Sequence, residues 1–378
     1  MVDEESGELQ PEQYRRLAER VVALYPSQQS ACIIGPMETC EDRIRIFVMA
    51  LAALFCIAVF PAHADDSAPA ISLTTGAKFG AFYGMANEFV YNQAFSADYK
   101  DSELDWPLEP MIFTGAALSL DSRVGFFVTL DVRQGFAGTA GEMTDSDYLN
   151  GDGQRTHFSQ SDSYAERANL LDLKVGWDFY RQGALRIGAF GAFSYMDFKW
   201  SARDGYLQYP TTGQPFDPAN PYPLWSPNET KTPIYGTGII YETAYVGGAF
   251  GLRARYAFQG GFSVDASFAF TPIQRCYTED NHVLRQIDFY STLSGGFMIE
   301  PRVAVEYVLL PRATLRLEVG YRYSWGLKGD LTEVNTGTTS VTTGFPYYAG
   351  PASAFTGTND SGASLSLLDA SLGLSISL

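Results

Sequence analysis

Two short motifs hold the residues of this chain best suited to chemistry: Asp145-Ser146-Asp147 and Asp280-Asn281-His282, more than a hundred residues apart. In each, the two functional side chains are two positions apart, which places them on one face of an extended backbone. Three carboxylates and an imidazole brought to one rim could hold and polarise a water molecule. Imidazole accepts a proton near neutral pH, and a carboxylate two residues away can fix its tautomer and stabilise the imidazolium. The Asp145/Asp147 pair could share that water or carry a proton, because neighbouring carboxylates push one pKa upward. His157 is a weaker candidate. One histidine among scattered aspartates lacks the ligand count for zinc, so no metal is expected. Ser159, Ser161 and Ser163 read as polar loop residues rather than as a nucleophile.

Bringing the two motifs together requires a scaffold, and the scaffold reads as all-β. Leu315, Leu317, Val319, Tyr321, Tyr323 and Trp325 alternate with Arg316, Glu318, Gly320, Arg322 and Ser324. Similar period-two runs cover Leu171–Phe179 and Phe262–Phe270, and one class of residue then lies on each face of a strand. Ten strands are expected near 73–91, 108–121, 124–136, 168–181, 185–200, 237–258, 261–275, 291–310, 313–328 and 362–378. Most are long enough to cross a bilayer when tilted, and the count is even, as single-chain bacterial barrels require. Aromatic residues, 14% of the chain, crowd strand ends as girdles do, and the last residues alternate like a closing strand. Short turns follow the even strands. Long loops follow the odd ones, at 92–107, 137–167, 201–236, 276–290 and 329–361. Both motifs therefore fall in long loops at the same external rim. The fold expected is a ten-stranded antiparallel transmembrane outer-membrane β-barrel with long extracellular loops.

The first 64 residues read differently. Arg43 and Arg45 precede fifteen apolar residues, Ile46 to Phe60, and Pro61-Ala62-His63-Ala64 offers a small-x-small cleavage site. This is the layout of a secretory signal peptide. Residues 37–64 are expected to be the signal, starting at Met37, residues 1–36 an over-called extension, and 65–378 the barrel. The barrel portion then carries a net charge of −13, which argues against nucleic acid as a partner. It keeps one cysteine, Cys276, so it forms no internal disulfide, and a closed strand ladder must supply the stability instead.

In their order along the chain, Glu88-Phe89-Val90-Tyr91, Ser102-Glu103-Leu104-Asp105-Trp106, Met143-Thr144-Asp145-Ser146-Asp147, Ala168-Asn169-Leu170-Leu171-Asp172-Leu173 and Asp280-Asn281-His282 resemble the omptins. These are outer-membrane proteases of Gram-negative bacteria. The resemblance implies an endopeptidase that cuts extracellular polypeptides beside basic residues through an Asp/His-activated water, with the active site extracellular. It implies that Asp145 and Asp147 face Asp280 and His282 as the catalytic residues, and that Glu88 binds the basic side chain of the substrate. The second acid of that pocket is replaced by Thr278, which weakens or alters the basic preference. Family members need lipopolysaccharide and hold its phosphates with arginines. The corresponding positions are Asp197 and Ile240, so the basic site is not recognisable, although Lys199 and Arg203 are nearby. No cofactor is expected. The competing reading is a catalytically inactive omptin-fold adhesin or surface-binding protein. If the leader is removed as expected, N-terminal sequencing of the protein recovered from outer membranes will begin at Asp65, and a start at Met1 would refute it.

Overall fold

The structure is a computed structural model that describes residues 71–210, 222–335 and 359–378. The expected extension and signal peptide lie outside the described residues. Twelve strands follow in chain order: β1 (Ile71–Asn92), β2 (Lys100–Ser122), β3 (Phe126–Gly135), β4 (Gly138–Asp147), β5 (His157–Gln182), β6 (Leu185–Gln208), β7 (Thr232–Ala257), β8 (Phe262–His282), β9 (Ile287–Ser294), β10 (Phe297–Leu310), β11 (Ala313–Asn335) and β12 (Asn359–Ser377). All pair antiparallel. β3 and β4 lie end to end between β2 and β5, and β9 and β10 lie end to end between β8 and β11. β1 pairs with both β2 and β12, so the sheet closes into a ring of ten positions, the number expected.

Each split has a local cause. Along β2, pairing to β4 ends at Asp105 and pairing to β3 starts at Phe113, and Pro107 and Pro110 fall between. Proline has no N–H to give a ladder, so the neighbouring strand breaks opposite them. Between β9 and β10, Gly295 has φ 80°, and across from it β11 shifts register near Gly326, at φ 74°. Both positions need a left-handed backbone that glycine alone adopts without strain. A bulge in β5 between Ala165 and Arg167 changes the phase: Ser159, Ser161 and Ser163 are buried above it, Ala168, Leu170 and Asp172 below it.

The strands outrun the sequence-based boundaries. β2 starts at 100 rather than 108, β5 at 157 rather than 168, and β8 ends at 282 rather than 275. Asp145, Asp147, Asp280 and His282, expected in loops, lie on strands. Their segments carry polar residues on both faces, so the apolar alternation that reveals a membrane strand stops where the bilayer does. At 26 residues, β5 and β7 are more than twice the ~9–11 residues that a tilted strand needs to span a bilayer. The barrel therefore projects well beyond the lipid. Exposed outward residues mark the membrane part, among them Phe79, Tyr83, Trp177, Phe179, Leu252, Leu317 and Leu372.

Inside, an apolar septum lies below the rim, built from Phe82, Trp106, Leu108, Phe113, Phe198, Trp200 and Tyr241, each with 0% exposure. Trp106 stacks on Tyr241 at 5.3 Å, and Trp200 Nε1 donates to the Pro107 carbonyl at 2.9 Å. The indole thus satisfies a carbonyl beside the β2 irregularity. Within the membrane part, a lattice of ion pairs spans the lumen. Arg133 and Arg322 both donate to Asp172 Oδ2, at 2.6 and 2.5 Å. Arg302 donates to Glu318 at 2.7 Å and to both oxygens of Asp369, at 2.9 and 3.1 Å. Gly320 leaves room for it, because a Cβ there would lie 2.6 Å from the Arg302 guanidinium carbon. Removing one member leaves its buried partners uncompensated. Arg322→Ala is expected to destabilise the barrel by ~3–5 kcal/mol, read as a lowered urea midpoint in lipid vesicles, and an unchanged midpoint would contradict the lattice's role.

Candidate active site

β4 takes the third position in the ring and β8 the seventh, so their outer ends face each other across the mouth. On β4, Asp145 lies between Leu104 of β2 and Ser159 of β5, and Asp147 between Ser102 and His157. The Ser102 and Ser159 hydroxyls donate to the two Asp145 oxygens at 3.4 and 3.5 Å. Ser159, read from sequence as a loop residue, is thus an inward strand residue touching Asp145. On β8, Asp280 and His282 share a face, and His282 Nε2 donates to Asp280 Oδ2 at 2.7 Å. With the Asp280 carboxylate as acceptor, the proton is assigned to Nε2 and the lone pair to Nδ1. Arg285 donates to Nδ1 at 3.3 Å.

The electrostatics tie the two sides together. Burial, then the negative charge of Asp280, raises the Asp145 pKa to about 6, against the pull of Arg285 and the two serine hydroxyls. Burial and then Asp145 push Asp147 well above the usual carboxylate range. Glu88, 2% exposed on β1, is raised by burial and then by Asp280 and Asp145. Asp280 acts on both Glu88 and Asp145, so the three carboxylates share one groove. Glu88 points inward with Phe82 and Ala86 while Phe79 and Tyr83 point out, the phase expected from sequence.

Below the carboxylates the septum forms a dry floor. The Trp106 indole faces the Glu88 carboxyl and pulls its pKa back down, while Tyr241 Oη and Asp280 Oδ1 are buried there without a hydrogen-bond partner. Unpaired buried polar atoms are costly, so a cluster of them facing one space suits a polar guest. Thr278 is also buried, paired in register with Thr243. Among the described residues, no three His, Cys, Asp or Glu side chains are grouped as metal ligands.

His157 is the cross-strand partner of Asp147, yet it is packed edge-on against Tyr209 and Tyr222, at 4.6 and 5.4 Å, and burial lowers its pKa to about 4. It is a neutral packing residue. Sequence reasoning missed Arg285, Ser102 and Asp101. Asp101 is buried, with Oδ1 unpartnered, and burial raises its pKa to about 6. Ser102 belongs to a motif read for its family likeness, but its register against Asp147 appears only once the strands pair. On the outer face, Asp197 accepts from Arg167 at 2.7 Å, and Glu242 from Lys199 at 2.6 Å and Arg167 at 2.8 Å. Arg203 is bonded to Glu166 at 2.8 Å.

A closed barrel with a lipid-facing belt, whose projecting rim carries carboxylates opposite an Asp–His pair, defines an outer-membrane protein with a site able to polarise water. The omptin family model matches residues 69–351, and the chain belongs to that family. The plasminogen activator of Yersinia pestis is 25% identical over 267 residues, 69% of this chain and 79% of that protein. The outer membrane protease OmpT of Escherichia coli has the same fold: TM-score 0.65 at 16% identity, over 81% of this chain and 97% of that one. The chain is accordingly an outer-membrane protease of a Gram-negative bacterium.

The raised Asp145 pKa predicts a trade-off with stability. Below about pH 4 this carboxyl is protonated whether the chain is folded or unfolded. As pH climbs through about 6, only the folded state must ionise it against burial and Asp280, so stability is lost. Asp145→Asn removes that loss. Because Asp145 is only partly buried, the variant should gain on the order of 1 kcal/mol at pH 8 and nothing at pH 4, measured by urea unfolding. An equal effect at both pH values would refute the electrostatic origin.

Proposed function

We propose that the chain is an endopeptidase that cuts extracellular polypeptides beside basic residues, with a water nucleophile shared by Asp145, Asp147, Asp280 and His282. The observation that carries this reading is the 2.7 Å His282–Asp280 bond facing Asp145 across the groove. With Nε2–H committed to Asp280, Nδ1 is the nitrogen that takes the proton from water as oxygen attacks the peptide carbonyl. Asp280 then stabilises the imidazolium. Asp145, raised by burial and Asp280, and Asp147, raised by burial and Asp145, would supply a proton to the carbonyl oxygen or the departing amine. No covalent intermediate and no cofactor is needed.

The preference for basic residues rests on Glu88. A substrate cation entering the groove would restore the ionised form of Glu88 and give the Tyr241 hydroxyl a donor to accept from. With Thr278 in place of a second acid, the pocket offers one carboxylate, so a single-point ammonium should fit it better than a guanidinium seeking two-sided contacts. Lipopolysaccharide is proposed to be dispensable. At the expected phosphate site, Asp197 stands in place of a cation, and Arg167, Lys199 and Arg203 are already paired with acids.

His282→Ala should lower kcat by at least ~10²-fold on a quenched peptide containing one lysine, the scale of a general base, while the barrel stays folded. Asp145→Asn, Asp147→Asn and Asp280→Asn should each cause large losses. Full activity in His282→Ala would exclude the mechanism. No activity of the wild type in any lipid would favour the surface-binding alternative.

A further inference from the structure

The turn joining β8 to β9 carries a residue that the mechanism above does not use. Residues 283–286 fold back on the end of β8: Val283 N–H donates to the Asn281 carbonyl at 3.1 Å and Arg285 N–H to the His282 carbonyl at 2.9 Å. The next residue, Gln286, has φ 56°, a left-handed conformation that a side-chain-bearing residue adopts only where its surroundings impose it. The backbone therefore delivers Arg285 to one place. Its guanidinium donates to His282 Nδ1 at 3.3 Å and lies 5.9 Å from the centroid of Phe289, whose ring meets the imidazole edge-on at 5.3 Å.

This contact conflicts with general-base chemistry. His282 has given Nε2–H to Asp280, so its basic lone pair is on Nδ1, the atom that Arg285 covers. While the contact lasts, no water can pass a proton to His282. We propose that Arg285 is a gate on the reaction: its guanidinium closes the base in the free enzyme and withdraws toward Glu333 on β11 when a cationic substrate occupies the groove. The inference rests on the assignment of His282 as the base. An acid that would receive the guanidinium is present: Glu333 on β11 feels its charge and pairs in register with Phe289, the ring beside Arg285, while Asp145 and Asp147 on β4 and Asp280 and Asp288 to either side of the turn also face the groove. A basic side chain bound at Glu88 adds a second cation to the groove and repels the first. A chain without a basic residue leaves the gate shut, so the contact doubles as a filter on substrates.

The test reads the lone pair directly. Diethyl pyrocarbonate acylates a neutral imidazole nitrogen with an available lone pair, and mass spectrometry separates the His282 peptide from that of buried His157, which serves as internal control. Arg285→Ala should raise the carbethoxylation rate of His282 by about tenfold, the factor represented by one charge-assisted hydrogen bond, with no change at His157. Arg285→Lys should partly restore protection. In the same preparations, Arg285→Ala should raise kcat/KM on a neutral peptide more than on a lysine peptide. Unchanged carbethoxylation in Arg285→Ala would overturn the gate, whatever the peptidase activity. A lower kcat/KM on both peptides despite faster carbethoxylation would also overturn it, making Arg285 a donor to the reaction. Faster carbethoxylation with no peptidase activity in either protein would support the closed contact and defeat only the peptidase reading.

Discussion

The backbone ladder closes on itself, and everything else in the molecule depends on that closure. Within lipid it is compulsory, since an unpaired N–H or C=O has no water to turn to. The ladder continues past the lipid, with β5, β6 and β7 paired out to their last residues. Groups more than a hundred residues apart, such as Asp145 and Asp280, are therefore held by main-chain hydrogen bonds rather than by loop packing. Where β2 cannot donate, at Pro107 and Pro110, the break is confined to one interval, and β4 resumes the ladder in time to carry Asp145 and Asp147 on paired strand.

The groove adds charge to that rigid frame and so works against stability. Glu88, Asp145, Asp147 and Asp280 converge above a floor of aromatic rings, with Arg285 as a cation acting on Asp145 and Asp147. The membrane part treats its charges the opposite way: Asp172, Asp369, Glu300 and Glu318 each have an arginine partner. One barrel thus holds compensated ion pairs in its membrane part and crowded carboxylates at its rim. Such a division is expected when a stable scaffold supports a strained site.

Much of this was legible in the sequence, and what was missed was missed for physical reasons. Alternation in the lipid-facing segments is strong because one face must be apolar, and it located all ten barrel positions. Loop parity, together with the motifs, placed Asp145 and Asp280 at one end. All of β4 and the projecting parts of β5 and β8 read as loops because water on the outside and a polar groove on the inside remove the contrast between faces. Ser159 reads as a loop residue, and Ser102 only as part of a family-like motif, for the same reason: a serine becomes a partner of Asp145 only through cross-strand register, which no local pattern encodes. The bulge at Glu166 hides further information, since it reverses the inward phase within a single strand. Arg285 gave no signal at all. It lies three residues past His282 in a turn, and its direction depends on the left-handed Gln286.

The apolar septum has a consequence for the cell that carries the protein. An outer membrane is a permeability barrier, and a barrel inserted into it is a potential leak. Here Leu108, Phe198, Trp200 and Tyr241 fill the lumen so fully that none retains contact with solvent. A separate charged space of about 270 Å³ is lined by Lys78, Asp131, Arg253 and Glu306. The same side chains that floor the groove therefore also plug the lumen, so one packed layer serves both the site above it and the closure below it.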